Sequence, residues 1–463
     1  MEYRAALIFL FLYYIRPQDW VPAISGANVI RPMMLIWLVS ILSARSRPVV
    51  TGILRTPHDW AILAYYAYIV WHAPDFSGTL KGFLPFVVFY VFTVKSLISW
   101  ERLQGYLKFW NFMLMGVAAM AVASLHGVDM TGAKDATEKM FGRLCIGTWL
   151  HDNPNALAHS VIVVLPLSYI FYFWKRGVIG RMIIFPACVT LACYCVYATE
   201  SKGSFLVGGV LLVMIFVVGR PKPVQILALT MAATMGVSAL SFLPRMQQMG
   251  NLRGDAGVQG RLMVWEMAKR TAEEKSTGVG WKQFQGFIIW DGQMENKATH
   301  SSYVQIGGDL GPYGMFFYLL PLWLALRSLL MSAKLTREDP RMERCRRAIM
   351  ILIIAYMVSG WMINREYHTE YFLLIAAAAA LHRLTLAQEL ETAALLNETQ
   401  TKAVEGQMVL ANEAPPTGVL PVFEALHQKG KRLWNRITVV DVGIGVTMTW
   451  AVMSAWDYIL KNL

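Results

Sequence analysis

The sequence is poor in charge. Only 16% of its 463 residues are Asp, Glu, Lys or Arg, against about 25% in an ordinary soluble domain. It is also poor in cysteine. Cys188, Cys193 and Cys195 share one apolar run, Cys345 sits in a basic loop, and Cys145 precedes a further run. No pair has the spacing of a zinc site or a redox dithiol. Small buried apolar side chains are the simpler reading. There is no Walker motif, no Gly-rich dinucleotide loop, no His-Glu-x-x-His and no EF-hand. These absences disfavour ATP-driven transport within this chain, and neither a cofactor nor a metal is implied. The first apolar run ends at Arg16-Pro17 without a small-residue cleavage site, so no cleavable signal peptide is read. No internal repeat is evident.

Apolar length is what the chain has instead. Hydrophobic residues make up 56% of it, gathered in runs of roughly 17–25 residues, the length that crosses a bilayer core. Runs fall near 5–15, 28–44, 57–72, 79–98, 104–125, 153–174, 180–199, 203–219, 223–243, 303–330, 346–364 and 366–384, with a separate one at 438–460. The first and third are short and read as re-entrant or tilted pieces. The net charge of +12 lies in short loops between runs, as orientation signals do, so no nucleic-acid partner is expected. With the N-terminus inside, the basic groups all fall inside as well. They are Arg45, Arg47 and Arg55; Lys95, Arg102 and Lys108; Lys175, Arg176 and Arg181; Arg220 and Lys222; and the loop Arg327–Arg347.

The expected fold is an all-α integral membrane protein, a bundle of about twelve transmembrane helices embedded in membrane lipid. Residues 1–243 form an N-terminal bundle, 244–302 a large outward loop, 303–386 the core helices, 387–437 a cytoplasmic tail and linker, and 438–463 an additional helix. The loop carries Trp265, Trp281 and Trp290. Its stretch Gly260–Glu274 has a helical apolar pattern. A structureless loop of that length is unusual, so a small folded cap is expected.

The chemistry-bearing residues gather at the outward ends. His300 stands where the loop re-enters the membrane, followed by Ser301 and the span through Gly314. A histidine there can exchange a proton with a hydroxyl, contact a leaving phosphate, or simply cap the span. Arg261 opens the loop helix, and a guanidinium suits a diphosphate, although taken alone an ordinary solvated surface Arg is the favoured reading. Lys202 sits in a short outward turn, where a snorkelling lysine is the plain alternative. His151-Asp152-Asn153-Pro154-Asn155 opens another span; Asp152 or Asn153 can cap it, and Asn153 and Asn155 can also meet a sugar or lipid head. Asp309 lies two turns inside a span, where an acid is paired or functional. Asn364, Arg365, Glu366, His368 and Glu370 crowd the last outward turn, as a salt-bridge cluster or as part of the same cavity.

These residues and their order resemble the O-antigen ligase and polymerase superfamily of bacterial envelope enzymes, over roughly residues 28–385. His300-Ser301, nine residues, then Gly311-x-x-Gly314 matches that family's pattern in full. Asp152-Asn153-Pro154-Asn155-Ala156, Ser201-Lys202-Gly203, Gly260-Arg261 with Trp265, and Gly278-Val279-Gly280-Trp281 follow its motif order. The resemblance implies a GT-C-like helical bundle in the bacterial inner membrane with a large periplasmic loop. It implies transfer, with inversion, from an undecaprenyl-diphosphate-linked glycan donor to a glycan or lipid acceptor. His300 would then be the base or the diphosphate contact. Arg261 and Lys202 would hold the diphosphate, with Asn153, Asn155, Ser301, Asp309, Arg365 and His368 as further substrate contacts. Lys202 departs from the Arg usual in the Ser-Arg-Gly turn, keeping the charge and losing the fork. The run at 438–460 departs too. A polymerase of lipid-linked repeats, a protein-glycosylating variant and a lipid-linked glycan transporter are the competing readings.

Overall fold

The computed structural model describes residues 1–44, 52–217, 256–290, 293–411 and 435–462, and single positions near 222–230. The run expected at 223–243, the start of the large loop, the Ala414-Pro415-Pro416 linker and the basic cluster Lys429–Arg432 lie outside these residues.

The chain is helical almost throughout. The elements are α1 (Glu2–Tyr14), α2 (Ile30–Leu42), α3 (Pro57–Trp71), α4 (Phe76–Ser96), α5 (Trp100–Leu125), α6 (Pro154–Phe173), α7 (Gly180–Ala198) and α8 (Lys202–Val217). Then follow α9 (Ala256–Glu274), α10 (Ser302–Met331), α11 (Pro340–Ser359), α12 (Thr369–Ala411) and α13 (Val439–Asn462). Polar side chains start several of these helices by accepting from their first free N–H groups: Asp75 for α4, Ser99 for α5, Asn153 for α6, Ser301 for α10 and Asp339 for α11. Prolines stand at the first helical position after Asn153 and Asp339, where a missing N–H costs nothing.

Among the described residues, seven helices are long and apolar enough to cross a membrane: α4, α5, α6, α7, α10, the first part of α12 (Thr369–Thr392), and α13. The all-helical membrane architecture therefore holds, and about twelve crossings are not reached among these residues. The reasons are physical. Helices α1 and α2 have 13 residues each, about 20 Å of helix against a core of about 30 Å. Helix α11 carries Arg341, Glu343, Arg344, Arg346 and Arg347 in its first turns. Exposed apolar side chains such as Leu35, Ile36, Val39, Val178, Met182 and Trp450 line the outside of the bundle. The inside is aromatic. Tyr318 stacks on Tyr371 with centroids 5.1 Å apart, and Phe86 stacks on Phe372 at 5.3 Å. In α12, the fully buried run Ala376–Ala380 lets neighbouring helices come close.

The large loop folds as a cap. Helix α9 is joined by a hairpin that the all-helical expectation missed, β1 (Phe287–Trp290) paired antiparallel with β2 (Gln293–Asn296). The cap docks on α10 backbone to backbone. Pro312 has no N–H, so the carbonyl of Gly308 loses its helical donor; the loop N–H of Val279 reaches it at 3.3 Å, and that of Gly280 reaches the Asp309 carbonyl at 2.7 Å. A Cβ on Gly311 would collide with the Ser276 carbonyl, and one on Gly278 with the Asp309 carbonyl. Both glycines also have positive φ, +65° and +72°.

The last helix, α13, packs against this same α10. Its Trp456 is fully buried, and a Cβ on Gly307 would strike the Trp456 ring. Lys269 of α9 lies over that ring at 5.6 Å. At its other end, Asp441 pairs with Arg327 and accepts from Trp323 Nε1 at 2.9 Å.

Candidate active site

Four chain segments far apart in sequence meet at the loop end of the bundle. Trp265 of α9 donates its indole N–H to the Thr299 carbonyl at 2.7 Å. Thr299 Oγ1 donates to Asn364 Oδ1 at 3.0 Å. The Ser302 N–H donates to the Gly360 carbonyl at 2.7 Å, and Arg365 N–H to Ser302 Oγ at 2.9 Å. The Arg365 guanidinium reaches α6, donating to the Ala156 carbonyl at 2.9 Å and Ser160 Oγ at 2.7 Å. From the loop before α6, Arg143 donates to Asn155 Oδ1 at 3.0 Å and to the Thr199 carbonyl at 3.1 Å, just before Lys202. The expected outward groups thus occupy one end.

His300 stands directly before the Ser301 cap of α10, partly buried, with a left-handed backbone (φ +50°). A non-glycine residue in that region is uncommon and clusters at functional sites. Burial, then the charges of Arg261 and Lys297, push its imidazole down to about 4. It is therefore neutral at pH 7. A neutral imidazole can accept a proton and cannot itself neutralise a phosphate. Arg261 and Lys202 are both half-buried at this end. Lys202 begins α8, where Gly203 lies against Met362 of the turn after α11.

The remaining expected site residues have defined internal partners. Ser301 is buried; its Oγ caps α10 and donates to the Gly360 carbonyl at 3.1 Å. Asn153 caps α6 by accepting from Asn155 N–H at 2.9 Å. Asp309 is fully buried and accepts from Phe284 N–H at 2.7 Å, Tyr367 Oη at 2.9 Å and Gln305 Nε2 at 3.1 Å. It ties the cap to α10. Arg365 is buried and ion-paired with Glu370. His368 stacks on Trp149 at 5.5 Å, over which Arg16 also lies at 5.0 Å. Burial, then Arg365 and Lys282, push His368 down to about 3.

Two groups escaped the sequence reading. Glu366 was seen only as one member of a crowded turn. It is 5% exposed, its Oε2 has no partner, and burial with the nearby Asp309 pushes it up to about 8. His159, in the middle of an apolar run, drew no notice; a histidine inside a membrane-length run was the available signal. Among the described residues, no three His, Cys, Asp or Glu side chains converge as a metal site would.

No curated protein matches the chain. The O-antigen ligase family model matches residues 186–319, which span the Lys202 turn, the cap helix with Arg261, and His300 through Gly314. Over that segment the chain is similar to the O-antigen ligase family, whose members are glycosyl-transfer enzymes.

Proposed function

We propose that the chain is a ligase that moves a glycan from an undecaprenyl-diphosphate carrier to a hydroxyl of a lipid or saccharide acceptor, at the periplasmic face of the inner membrane. The observation that carries this reading is the placement of His300, partly buried with a left-handed backbone directly before the Ser301 cap of α10, within electrostatic reach of Arg261. An acceptor hydroxyl gives its proton to His300 as its oxygen forms a bond to the anomeric carbon. The bond from that carbon to the carrier diphosphate breaks, and the diphosphate leaves with the electron pair. Attack opposite the leaving group inverts the anomeric centre. Arg261 and Lys202 stabilise the charge that develops on the diphosphate.

The same cations link binding to activation. Burial first, and then Arg261 and Lys297, hold the imidazole at about 4, which makes it a weak base. A bound diphosphate brings negative charge that offsets them, and this raises the affinity of His300 for a proton. The base strengthens when the donor is in place.

The test is transfer in vitro from a synthetic undecaprenyl-diphosphate-linked glycan, with product mass as the readout. His300→Ala should abolish product while the protein keeps its melting temperature. Full activity in that variant would overturn the role. The product also separates ligase from polymerase: a glycan on a distinct acceptor supports the first, and joined lipid-linked repeats support the second.

A further inference from the structure

The first turns of α11 carry more positive charge than their acids match. Glu343 accepts from Arg346 and Arg347, and Asp339 caps the helix by accepting from Arg341 N–H at 2.7 Å. Arg344 is left over. It is 6% exposed, its Nε has no partner, and its Nη2 donates to the Lys175 carbonyl at 3.2 Å. Asp339 is within electrostatic reach of it, but so are the like charges of Arg176 and Arg341. Lys108 of α5 in turn feels Arg176 and Arg344. Among the described residues, none of Lys108, Lys175, Arg176 and Arg344 forms an ion pair. A buried cation without a counter-charge is costly.

Three cations also converge on one indole. Lys175 Nζ lies over the Trp174 ring at 5.0 Å, the Arg344 guanidinium at 5.8 Å and that of Arg347 at 4.7 Å. A ring quadrupole attracts each of them but carries no net charge to cancel their repulsion. The end of α6 supplies single carbonyl acceptors. Arg176 Nε donates to the Phe171 carbonyl at 2.9 Å, one of the five N–H donors a guanidinium has.

Position selects the missing anion. Helix α11 has 20 residues, about 30 Å of length, and its other end meets Ser302 through the Gly360 carbonyl. The cluster is therefore a helix length away from the reaction end. Beside it, Val178, Ile179, Met182 and Ile183 are exposed on the outside of the bundle, where acyl chains lie. An indole among cations at such an edge stands at headgroup level. A zwitterionic headgroup would bring one more cation to this crowd, whereas an anionic one brings only the phosphate it lacks. We propose that Lys108, Trp174, Arg176 and Arg344 form a binding site for the phosphate of an anionic phospholipid in the leaflet opposite His300. This assignment stands apart from the glycan-transfer reading. Free phosphate shares the headgroup chemistry, and the exposed apolar row favours the lipid.

The test uses the full chain purified in detergent, with fluorescent phosphatidylglycerol as the probe. Unlabelled phosphatidylglycerol should displace the probe at a concentration roughly tenfold or more below that of phosphatidylcholine. Millimolar inorganic phosphate should leave the probe bound. Arg176→Gln and Arg344→Gln should each weaken probe binding roughly fivefold, the scale of one cation at a charged lipid surface. Arg344→Lys, which keeps the charge, should retain most of it. Arg270→Gln on the cap helix, where the side chain is exposed and paired with Glu266, should change nothing. Melting temperatures without added lipid identify any variant that fails to fold, and Arg176→Gln, at a half-buried position, then carries the comparison. Equal displacement by phosphatidylcholine, or full probe binding in both Gln variants, would overturn the site. Equal weakening in Arg270→Gln would show general charge attraction and overturn it too. Displacement by millimolar phosphate would mark a free-phosphate site and overturn the lipid assignment.

Discussion

At the end of the bundle remote from His300, buried carboxylates are matched with arginines. Asp59 pairs with Arg383 at 2.6 Å and accepts from Tyr90 at 2.7 Å. Glu343 takes a two-pronged pair from Arg346 at 2.7 and 2.8 Å, and a third bond from Arg347 at 2.7 Å. Burial opposes the charge on Glu343, yet the two arginines hold it down at about 2. Asp441 has Arg327. At the loop end the residues are different in kind. Arg365 and Glu370 make one ion pair, but His300, His368 and Glu366 are titratable groups displaced by burial, and His159 and Glu366 have unmet polar atoms. The first end is built to stay fixed. Unmet polar atoms occur at both ends, Arg383 Nε and Nη1 and His58 Nδ1 at the first and His159 and Glu366 Oε2 at the second, so the contrast lies in the carboxylates: at the first end they hold arginines, and at the second Glu366 is pushed up by burial.

Substitutions should separate the two ends. His300→Ala is expected to cut transfer by about 10²–10⁴-fold, the range for loss of a general base, with unchanged melting. Arg261→Ala should lower kcat by about 10²–10³-fold, with partial recovery in Arg261→Lys, since the charge returns without the fork. Arg383→Ala should do the reverse. It strands the Asp59 carboxylate and should cost about 3–5 kcal/mol of stability in a detergent melt, with normal transfer in the protein that remains folded. Normal melting in Arg383→Ala, or a collapsed fold in His300→Ala, would erase the contrast.

Two pH experiments sharpen it. The base must be unprotonated, so kcat/KM should be flat from pH 7 to about 5 and fall as His300 protonates near about 4. The limb in kcat should lie higher, because the bound diphosphate raises the imidazole. A kcat limb at or below that of kcat/KM would remove the coupling. Glu366 gives the smallest effect. Its folded-state value of about 8 exceeds that of an unfolded glutamate, about 4.3. Its contribution is therefore complete at low pH and is lost as pH rises between those values. Glu366→Gln should flatten that slope in melting temperature, and a slope that survives the substitution would assign it to other groups.

Much of this was legible in the sequence because it is local. The cap at Asn153 follows from residue type and position; the cap of the next motif helix was read at His300 and is Ser301, one residue later. The pattern from His300 to Gly314 marked where the loop re-enters the bundle, and the loop helix showed its period. What stayed hidden depends on partners distant in the chain. Asp309 read as a substrate contact, since a lone acid in an apolar span has no visible partner; its partners are Phe284, Gln305 and Tyr367. Arg365 read either as a substrate contact or as part of a local salt-bridge cluster with Glu370; the ion pair with Glu370 is there, and the bonds to Ala156 and Ser160 on a distant helix were not visible. The hairpin after α9 was missed because two four-residue strands are too short for a period to emerge.

The contact of Trp456 with Gly307 sets an order in time. Chains fold as they emerge from the ribosome, N-terminal parts first. The motif-bearing helix and its cap are made first, and the Trp456 ring that backs them is made well after. A nascent or prematurely terminated chain would therefore hold every expected reacting group and still lack the buttress behind Gly307 and Lys269.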